Sequence, residues 1–535
     1  MSADNNITKE GGVVKKYKSE DRRKMHKKWF RARYLQRITV ALIILAQIAI
    51  FFYILYSGSN ASTVVAYLLN VISIIVAVIV AVKHDKEENR LLWMMAILIF
   101  PVFGGLMYLL FHSQSSTRKF KKMSNSIEEE TKAVFFLPEN SKDEAVMDYP
   151  KQENAIRYLQ DYAGFPIYDR SKVKYLSPGE VKFEYMIDEL KKAERYIFME
   201  YFIIEEGVMW DTILDILKEK AARGVEVRLI YDDMGCFLTL PKDYPEKLER
   251  FGIKCIIFNP FRPFVVSEQN NRDHRKIAVI DGKVAFTGGI NLADEYINAY
   301  EKYGHWKDAS VMVCGVSAWS FTVMFLRMWR LCSGVTEDFE QYYPWHTEKC
   351  DIIGDGYVQP YCDSPTAPEN VGEHVYLQII NNAKKYIYIN TPYLVIGTNI
   401  VSALTLAAKS GVDVRIVTPY KWDKFIVHMT TRSYYSELIR AGVKIYEYSS
   451  GFIHSKTFVS DDEVATVGTT NLDFRSLYLH FECGLRIAGG SAVNEVKIDF
   501  LNTLEKCKRI TEEDCKCNII VGFIRKILRV FAPLM

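Results

Sequence analysis

One run of residue types occurs twice in this chain, in the same order and at the same spacing, and that repetition constrains the fold more than any other feature. The first copy is His274, Lys276, Asp281, Gly288 and Asn291; the second is His454, Lys456, Asp461, Gly468 and Asn471. Every member is displaced from its counterpart by 180 positions (454 − 274 for His, 471 − 291 for Asn). A lone H-x-K-x4-D string is usually a strand running into a turn, and arises by chance in roughly a few per cent of chains this long. Two strings in equal register, each followed at the same distance by Gly and Asn, point to shared chemistry.

The repetition extends beyond the motif. Arg195, Tyr196, Ile197 and Phe198 correspond to Lys385, Tyr386, Ile387 and Tyr388 at an offset of 190, and Gly224, Val225 to Gly411, Val412 at 187. Apolar strand-like runs alternate with helical patterning, as in residues 179–193 and 196–204, which predicts a mixed α/β sheet covered by helices. An internal duplication of this kind places the two motifs at a pseudo-twofold axis, so that one site is made from two halves.

The local chemistry suits an anion. Strand alternation puts His274 and Lys276 on one side, and likewise His454 and Lys456. Asp281 with Gly282 reads as a turn leading to a return strand at 284–287, which closes at Gly288 and Gly289. Two imidazoles and two ammonium groups facing each other form a cationic pocket that phosphate relieves, with Lys276, Lys456, Asn291 and Asn471 as donors to its oxygens. No Asp or Glu cluster has calcium or magnesium spacing, so neither a metal nor another cofactor is expected.

These motifs, with Asn271, Arg272 and Asp273 before the first and Leu472, Asp473, Phe474, Arg475, Ser476 and Glu482 after the second, resemble the phospholipase D superfamily with its paired HKD motifs, and within it the bacterial cardiolipin synthases. The resemblance implies a duplicated phospholipase D-like α/β sandwich with His274, Lys276, Asp281, His454, Lys456 and Asp461 as catalytic residues. It implies a phosphate site at Asn291, Asn471, Gly289 and Thr469, and an imidazole-orienting acid at Glu482, with Asp308 as candidate counterpart. One His forms a phosphohistidine and the other moves protons; carried over, His274 is the nucleophile, although internal symmetry leaves the order open. The expected reaction joins two phosphatidylglycerol molecules into cardiolipin with release of glycerol. Alternatives are hydrolysis of the phospholipase D type, another phosphatidyl transfer, or a non-catalytic lipid-binding scaffold, which intact motifs disfavour. An HKD nuclease is disfavoured, because the apolar spans have no use in that role and the catalytic half has no basic, aromatic-interleaved stripe of the kind that binds nucleic acid.

Hydrophobic residues make up 49% of the chain, more than a loop-rich protein needs. Residues 38–56 and 63–82 are uncharged and long enough to cross a bilayer, while 91–111 is interrupted by Pro101, Gly104 and Gly105 and either spans or re-enters. Residues 1–37 carry twelve Lys or Arg against four Asp or Glu. That basic arm, together with Arg118, Lys119, Lys121 and Lys122, predicts a multi-pass protein of the bacterial cell membrane with its catalytic body on the cytoplasmic side. The expected order is then a linker at 113–150, a first half at 151–345, a second half at 346–515, and an amphipathic helix at 516–535 suited to an interfacial anchor. The ten cysteines show no CxxC pair and no zinc spacing, and most read as buried free thiols, although an even count could pair outside the cell. The sequence does not fix the oligomeric state.

Overall fold

The structure, a computed structural model, describes residues 60–82, 87–99, 115–136, 141–261 and 267–535, with single positions elsewhere (45, 49, 53, 104, 105 and 108). The basic arm and nearly all of the expected first span lie outside the described residues. The chain forms two compact units. The smaller gathers the N-terminal region with the loops Asp233–Pro241 and Pro260–Asn270; the larger holds the remainder from Lys119 onward.

The larger unit contains two sheets built to one plan. In the first half the strands are β1 (Ser171–Leu176), β2 (Tyr196–Tyr201), β3 (Glu226–Asp232), β4 (Ile253–Phe258), β5 (Arg272–Asp273), β6 (Lys276–Ile280), β7 (Val284–Gly288), β8 (His305–Lys307) and β9 (Ser310–Gly315). The second half has β10 (Tyr357–Asp363), β11 (Tyr386–Asn390), β12 (Leu394–Val395), β13 (Asp413–Pro419), β14 (Lys444–Tyr448), β15 (Gly451–Ile453), β16 (Thr457–Ser460), β17 (Val464–Gly468), β18 (Leu472–Asp473), β19 (His480–Ala488) and β20 (Cys507–Ile510). The first sheet runs β1-β9-β7-β6-β2-β3-β4 and the second β10-β19-β17-β16-β11-β13-β14-β20, so the order agrees strand for strand until β20 adds an edge. The duplication expected from the offsets is therefore present in the topology.

Central strands such as β2 and β6 are buried at every residue, which explains their continuous apolar runs. The helix Ala318–Ser333 lies against β2, β4 and β6 and reaches across to β10; its counterpart Ser491–Leu504 lies against β11, β16 and β17 and reaches β1. One continuous hydrophobic core consequently runs through both halves.

Two short parallel pairings cross between the halves: β5 with β19 and β8 with β15. Each brings a motif histidine against a strand of the other half. His274 donates its backbone N–H to Phe481 O at 3.0 Å, and His454 its own to Lys307 O at 2.7 Å.

Residues 113–150 are not a simple linker. A helix covers Ser115–Glu130 and another Lys142–Asp148. Ser124, Ile127 and Thr131, spaced three and four apart, are buried in an otherwise charged segment. All ten cysteines are free.

In the smaller unit a helix runs from Asn60 to Val82 and another from Glu87 to Ile99, meeting through Val76, Val80, Ile97 and Tyr108. Side chains of the first are described without a break only over residues 70–82; among the described residues no helix is long and apolar enough to cross a membrane. Gly104 packs so tightly on Ala96 that a Cβ would come within 2.4 Å of its carbonyl oxygen. A straight helix would separate residues eight apart by about 12 Å, so Gly104 does not continue the helix that holds Ala96.

Candidate active site

Each histidine sits at the C-terminal side of a short cross-half strand, immediately before a central strand that begins or nearly begins with its lysine. His274 and His454 are 7% and 8% exposed, and Lys276 and Lys456 are fully buried. Both ammonium groups fold back to donate to their own histidine's carbonyl oxygen, and Lys456 Nζ also lies 2.9 Å from His454 Nδ1.

The orienting acids are exchanged between halves. Glu482, from the second half, holds His274 Nδ1 at 2.9 and 3.0 Å. Asp308, from the first half, holds His454 Nδ1 at 2.7 Å. An acid at Nδ1 fixes the tautomer and leaves Nε2 for chemistry. Neither half is complete alone.

Gly289 and Thr469, expected at a phosphate site, occupy matching positions, and each lies against an orienting acid. A Cβ on Gly289 would lie 2.1 Å from Asp308 Oδ1, so the absent side chain makes room for that carboxylate. Thr469 instead donates its hydroxyl to Glu482 Oε2. Asn291 is likewise engaged: its Oδ1 accepts from Ile203 N at 3.0 Å and its Nδ2 donates to the Tyr296 hydroxyl at 2.7 Å. Asn471 is buried with its side chain hydrogen-bonded to Asp473, and its Oδ1, an acceptor, has no hydrogen-bond partner.

Asp281 and Asp461 stand away from the imidazoles, each after the far end of the strand that its motif lysine begins or precedes. Asp281 accepts from the backbone N–H groups of Glu194, Arg195 and Tyr196, all at 2.8 Å, and Asp461 from Lys384, Lys385 and Tyr386 at 2.6 to 2.9 Å. Both have positive φ, 53° and 57°. This corrects their grouping with the catalytic residues: they build the turn that sets the strand.

Electrostatics favour an anion. Burial, reinforced by the charges of Lys276, Lys456, His454 and Lys424, holds His274 well below the usual imidazole range. Burial and Lys456 bring His454 down to about 4, against the opposing pull of Asp308. Lys276 falls to about 8 and Lys456 to about 7, again chiefly through burial. Burial would raise Asp308, yet the charges of His454 and Lys456 keep it below the ordinary carboxylate value. An anionic group bound beside these residues favours the charged form of every base around it.

The two histidines have unlike neighbours. His454 is surrounded by Trp306, Tyr296 and Phe452, with ring centroids 5.4, 5.7 and 6.1 Å away. His274 faces Phe202 at 5.0 Å and His480 at 5.4 Å. His274, His480 and Glu482 bring donor atoms within 4.8 Å of one another, a set able to hold a metal ion. His274 Nδ1 and Glu482 already bond to each other, so an ion there would have to displace that contact.

A family model described as cardiolipin synthase, PLD-like domain, matches residues 186–304 and 376–504, and a second, phospholipase D-nuclease N-terminal, matches 68–111. A cardiolipin synthase of Geobacillus thermodenitrificans is 33% identical over 90% of this chain and 95% of its own length. The chain belongs to the bacterial cardiolipin synthases of the phospholipase D superfamily. It is a phosphatidyltransferase. A protein of Streptococcus mutans without an assigned function is 44% identical over 83% of this chain and 96% of its own. A solved phosphatidylserine synthase from Haemophilus influenzae shares the fold, with a TM-score of 0.54 at 15% identity over 71% of this chain and 97% of that one.

Sequence reasoning missed three side chains beside this candidate site. Lys182 is fully buried and donates to Ile290 O at 3.1 Å; burial lowers it to about 7. Its signal was a lysine in line with Met186 and Leu190 on the buried stripe of its helix. Arg275 donates to the carbonyl oxygens of Glu482 and Asp363, tying the first motif to the second half. His480 carried no signal, because a histidine two residues before an acid is common.

Proposed function

We propose that this enzyme transfers the phosphatidyl group of one phosphatidylglycerol to the free hydroxyl of a second, releasing glycerol and forming cardiolipin, by way of a phosphohistidine at His274. Nε2 of His274 attacks phosphorus, and the bond from phosphorus to the glycerol oxygen breaks. His454 gives that oxygen its proton. The hydroxyl of the second lipid then attacks, its proton passes to His454, and the phosphorus–nitrogen bond breaks. Lys276 and Lys456 offset the charge on the phosphoryl oxygens, a contribution largest in a water-poor cavity. The bound phosphodiester raises His454 from its depressed value, so that the acid is charged when the leaving oxygen needs it.

The exchanged acids support this reading: His274 is held by Glu482 and His454 by Asp308, so each imidazole takes its orienting acid from the opposite half. The aromatic enclosure of His454 favours a lipid alcohol over water as acceptor. Residues 38–56 and 63–82 are proposed from the sequence to cross the cell membrane and 91–111 to re-enter it, the last supported by the close approach of Gly104 to Ala96; with the basic arm inside, the catalytic body then lies on the cytoplasmic side.

The test supplies labelled phosphatidylglycerol to the purified enzyme and separates the products. Labelled cardiolipin with equimolar glycerol is expected; phosphatidic acid as the main product would replace synthesis by hydrolysis. Protease added to sealed right-side-out vesicles is expected to spare residues 151–535, and their digestion would place the body outside.

A further inference from the structure

We propose that the loop at residues 420–426 and the helix Ile519–Val530 form an interfacial docking face that rests on an anionic phospholipid bilayer and brings the rim of the active site to the headgroup layer. The inference rests on the reading that the substrate is a membrane phospholipid.

The terminal helix departs from ordinary core packing. None of its residues is buried, although apolar side chains recur at 519, 520, 523, 524 and 527, one face of a helix. Ile519 is 91% exposed and Phe523 63%. The helix is nevertheless fixed to the body. Arg529 pairs with Glu437 at 2.6 Å and lies 4.3 Å from the Tyr434 ring, and Ala532 is buried with Val395 and Phe474. A helix held firmly by its polar side while its apolar side faces outward is presented to something.

The second element lies at the other end of the helix's partner. The helix Phe425–Arg440 packs along the terminal helix, and Thr430 donates its hydroxyl to the Met535 sulfur at 3.2 Å. The chain's last residues therefore run back toward the first turn of that partner, where Phe425 and Ile426 are 55% and 56% exposed. Trp422 packs edge-on against Phe425, centroids 5.6 Å apart, and is itself half exposed. Trp favours the boundary between headgroups and acyl chains.

Two observations identify the occupant as an anionic bilayer. The apolar positions are interspersed with exposed Lys421, Lys424 and Lys526, a combination that suits anionic headgroups above acyl chains and is unsuited to a dry protein interface. The loop is also continuous with the site. Lys424 lies 5.1 Å from the Tyr393 ring, Tyr393 donates to Asp423, and the Lys424 charge is felt at both His274 and Asp473. A lipid entering from a bilayer beneath this loop would meet the loop's cation on its way to the histidines.

The test uses the full-length enzyme in proteoliposomes of phosphatidylglycerol and phosphatidylethanolamine that contain a trace phospholipid with a diazirine high on its acyl chain. After irradiation, lipid adducts are expected on peptides carrying residues 420–426 and 519–531, and are expected to fall when phosphatidylcholine replaces phosphatidylglycerol. The variants Trp422→Asp with Phe425→Asp, and Ile520→Asp with Phe523→Asp, should lose the corresponding adducts. Each should reduce turnover of bilayer phosphatidylglycerol by about tenfold while leaving turnover of monomeric short-chain phosphatidylglycerol unchanged. Thermal unfolding checks that the variants are folded. Absence of adducts from both peptides in the wild-type enzyme overturns the proposal, and so does joining of these peptides to a second copy by a bifunctional amine-reactive cross-linker in a parallel sample, which would assign the face to that copy. Adducts without any turnover of phosphatidylglycerol would retain the docking face and refute the reaction.

Discussion

The first and second halves present the same two side chains to one site but support them differently. Around His274 the supporting segment is charged: Arg272 makes a doubled contact with Asp232 at 2.9 to 3.1 Å, and Arg275 lies 3.7 Å from Glu200 and reaches across to Glu482 O. At the equivalent places the second half has Phe452, Ser455 and Asn390, and Trp306 and Tyr296 complete an aromatic enclosure around His454. A buried ionic network fixes position, because every displacement breaks charge-assisted hydrogen bonds. An aromatic enclosure sets the dielectric, makes proton affinity responsive to a nearby anion and excludes water. The first arrangement suits the atom that carries a covalent phosphatidyl group. The second suits the atom that holds and returns a proton.

The largest effect breaks the symmetry directly. His274→Ala is expected to reduce turnover by at least about 10,000-fold whatever the leaving group, because the nucleophile is gone. His454→Ala should cost about 100- to 10,000-fold with phosphatidylglycerol, but much less at the first step with a nitrophenol-like leaving group that needs little protonation. With that substrate the His454→Ala enzyme should accumulate phosphatidyl on His274. Acid-quenched peptide mapping reads the site, and phosphatidyl on His454 in the reciprocal His274→Ala enzyme would reverse the assignment.

Next in size are the exchanged acids. Glu482→Gln should act on His274 and Asp308→Asn on His454, each lowering turnover by about 100- to 10,000-fold through loss of the correct tautomer. The comparison sharpens in the trapping assay: Asp308→Asn should accumulate phosphohistidine, whereas Glu482→Gln should form it slowly. Equal accumulation in both would mean that the acids do not serve separate histidines.

Much of this was legible in the sequence. The constant offset of 180 between His274 and His454 announced two halves, and the strand order repeats as that offset required. Asp281 read as a turn residue and caps a turn. The pairing of acids with histidines was not legible: it depends on β5 joining β19 and β8 joining β15, strands of two or three residues that carry no period of their own. Lys182 and the helix Ser115–Glu130 were missed for a related reason. A lysine in a buried stripe and a sparse stripe of Ser124, Ile127 and Thr131 in a charged segment both look solvated until the surrounding structure covers them.

The matching positions Gly289 and Thr469 give a smaller contrast. Gly289→Ala puts a methyl group where Asp308 Oδ1 stands, and a displacement of about 1 Å at His454 is expected to cost about 100-fold. Thr469→Val removes one hydrogen bond to Glu482 and should cost about tenfold or somewhat more. The order of the two effects, read as kcat in the same assay, is the discriminating result: a greater loss at Thr469 would show that His274 is the less firmly held of the pair.

The smallest effect concerns the two lysines, and its sign differs between binding and stability. In the empty site burial holds Lys456 at about 7 and Lys276 at about 8. A phosphate mimic such as tungstate binds the charged lysines, so their contribution to its affinity should be full below pH 7 and fall as pH rises through 7 and then 8, by at most about tenfold per unit for each proton taken up on binding. Stability of the empty enzyme should move the other way. An unfolded lysine titrates near 10.4, so between the folded and unfolded values the unfolded chain binds more protons, and the folded state gains as pH rises toward 10. Lys456→Met should remove the lower step in the affinity profile and Lys276→Met the upper. Calorimetric titration of tungstate from pH 6 to 9 reads the two steps separately. A single shared step abolished by either substitution would show that both halves titrate as one group, despite the different surroundings of their histidines.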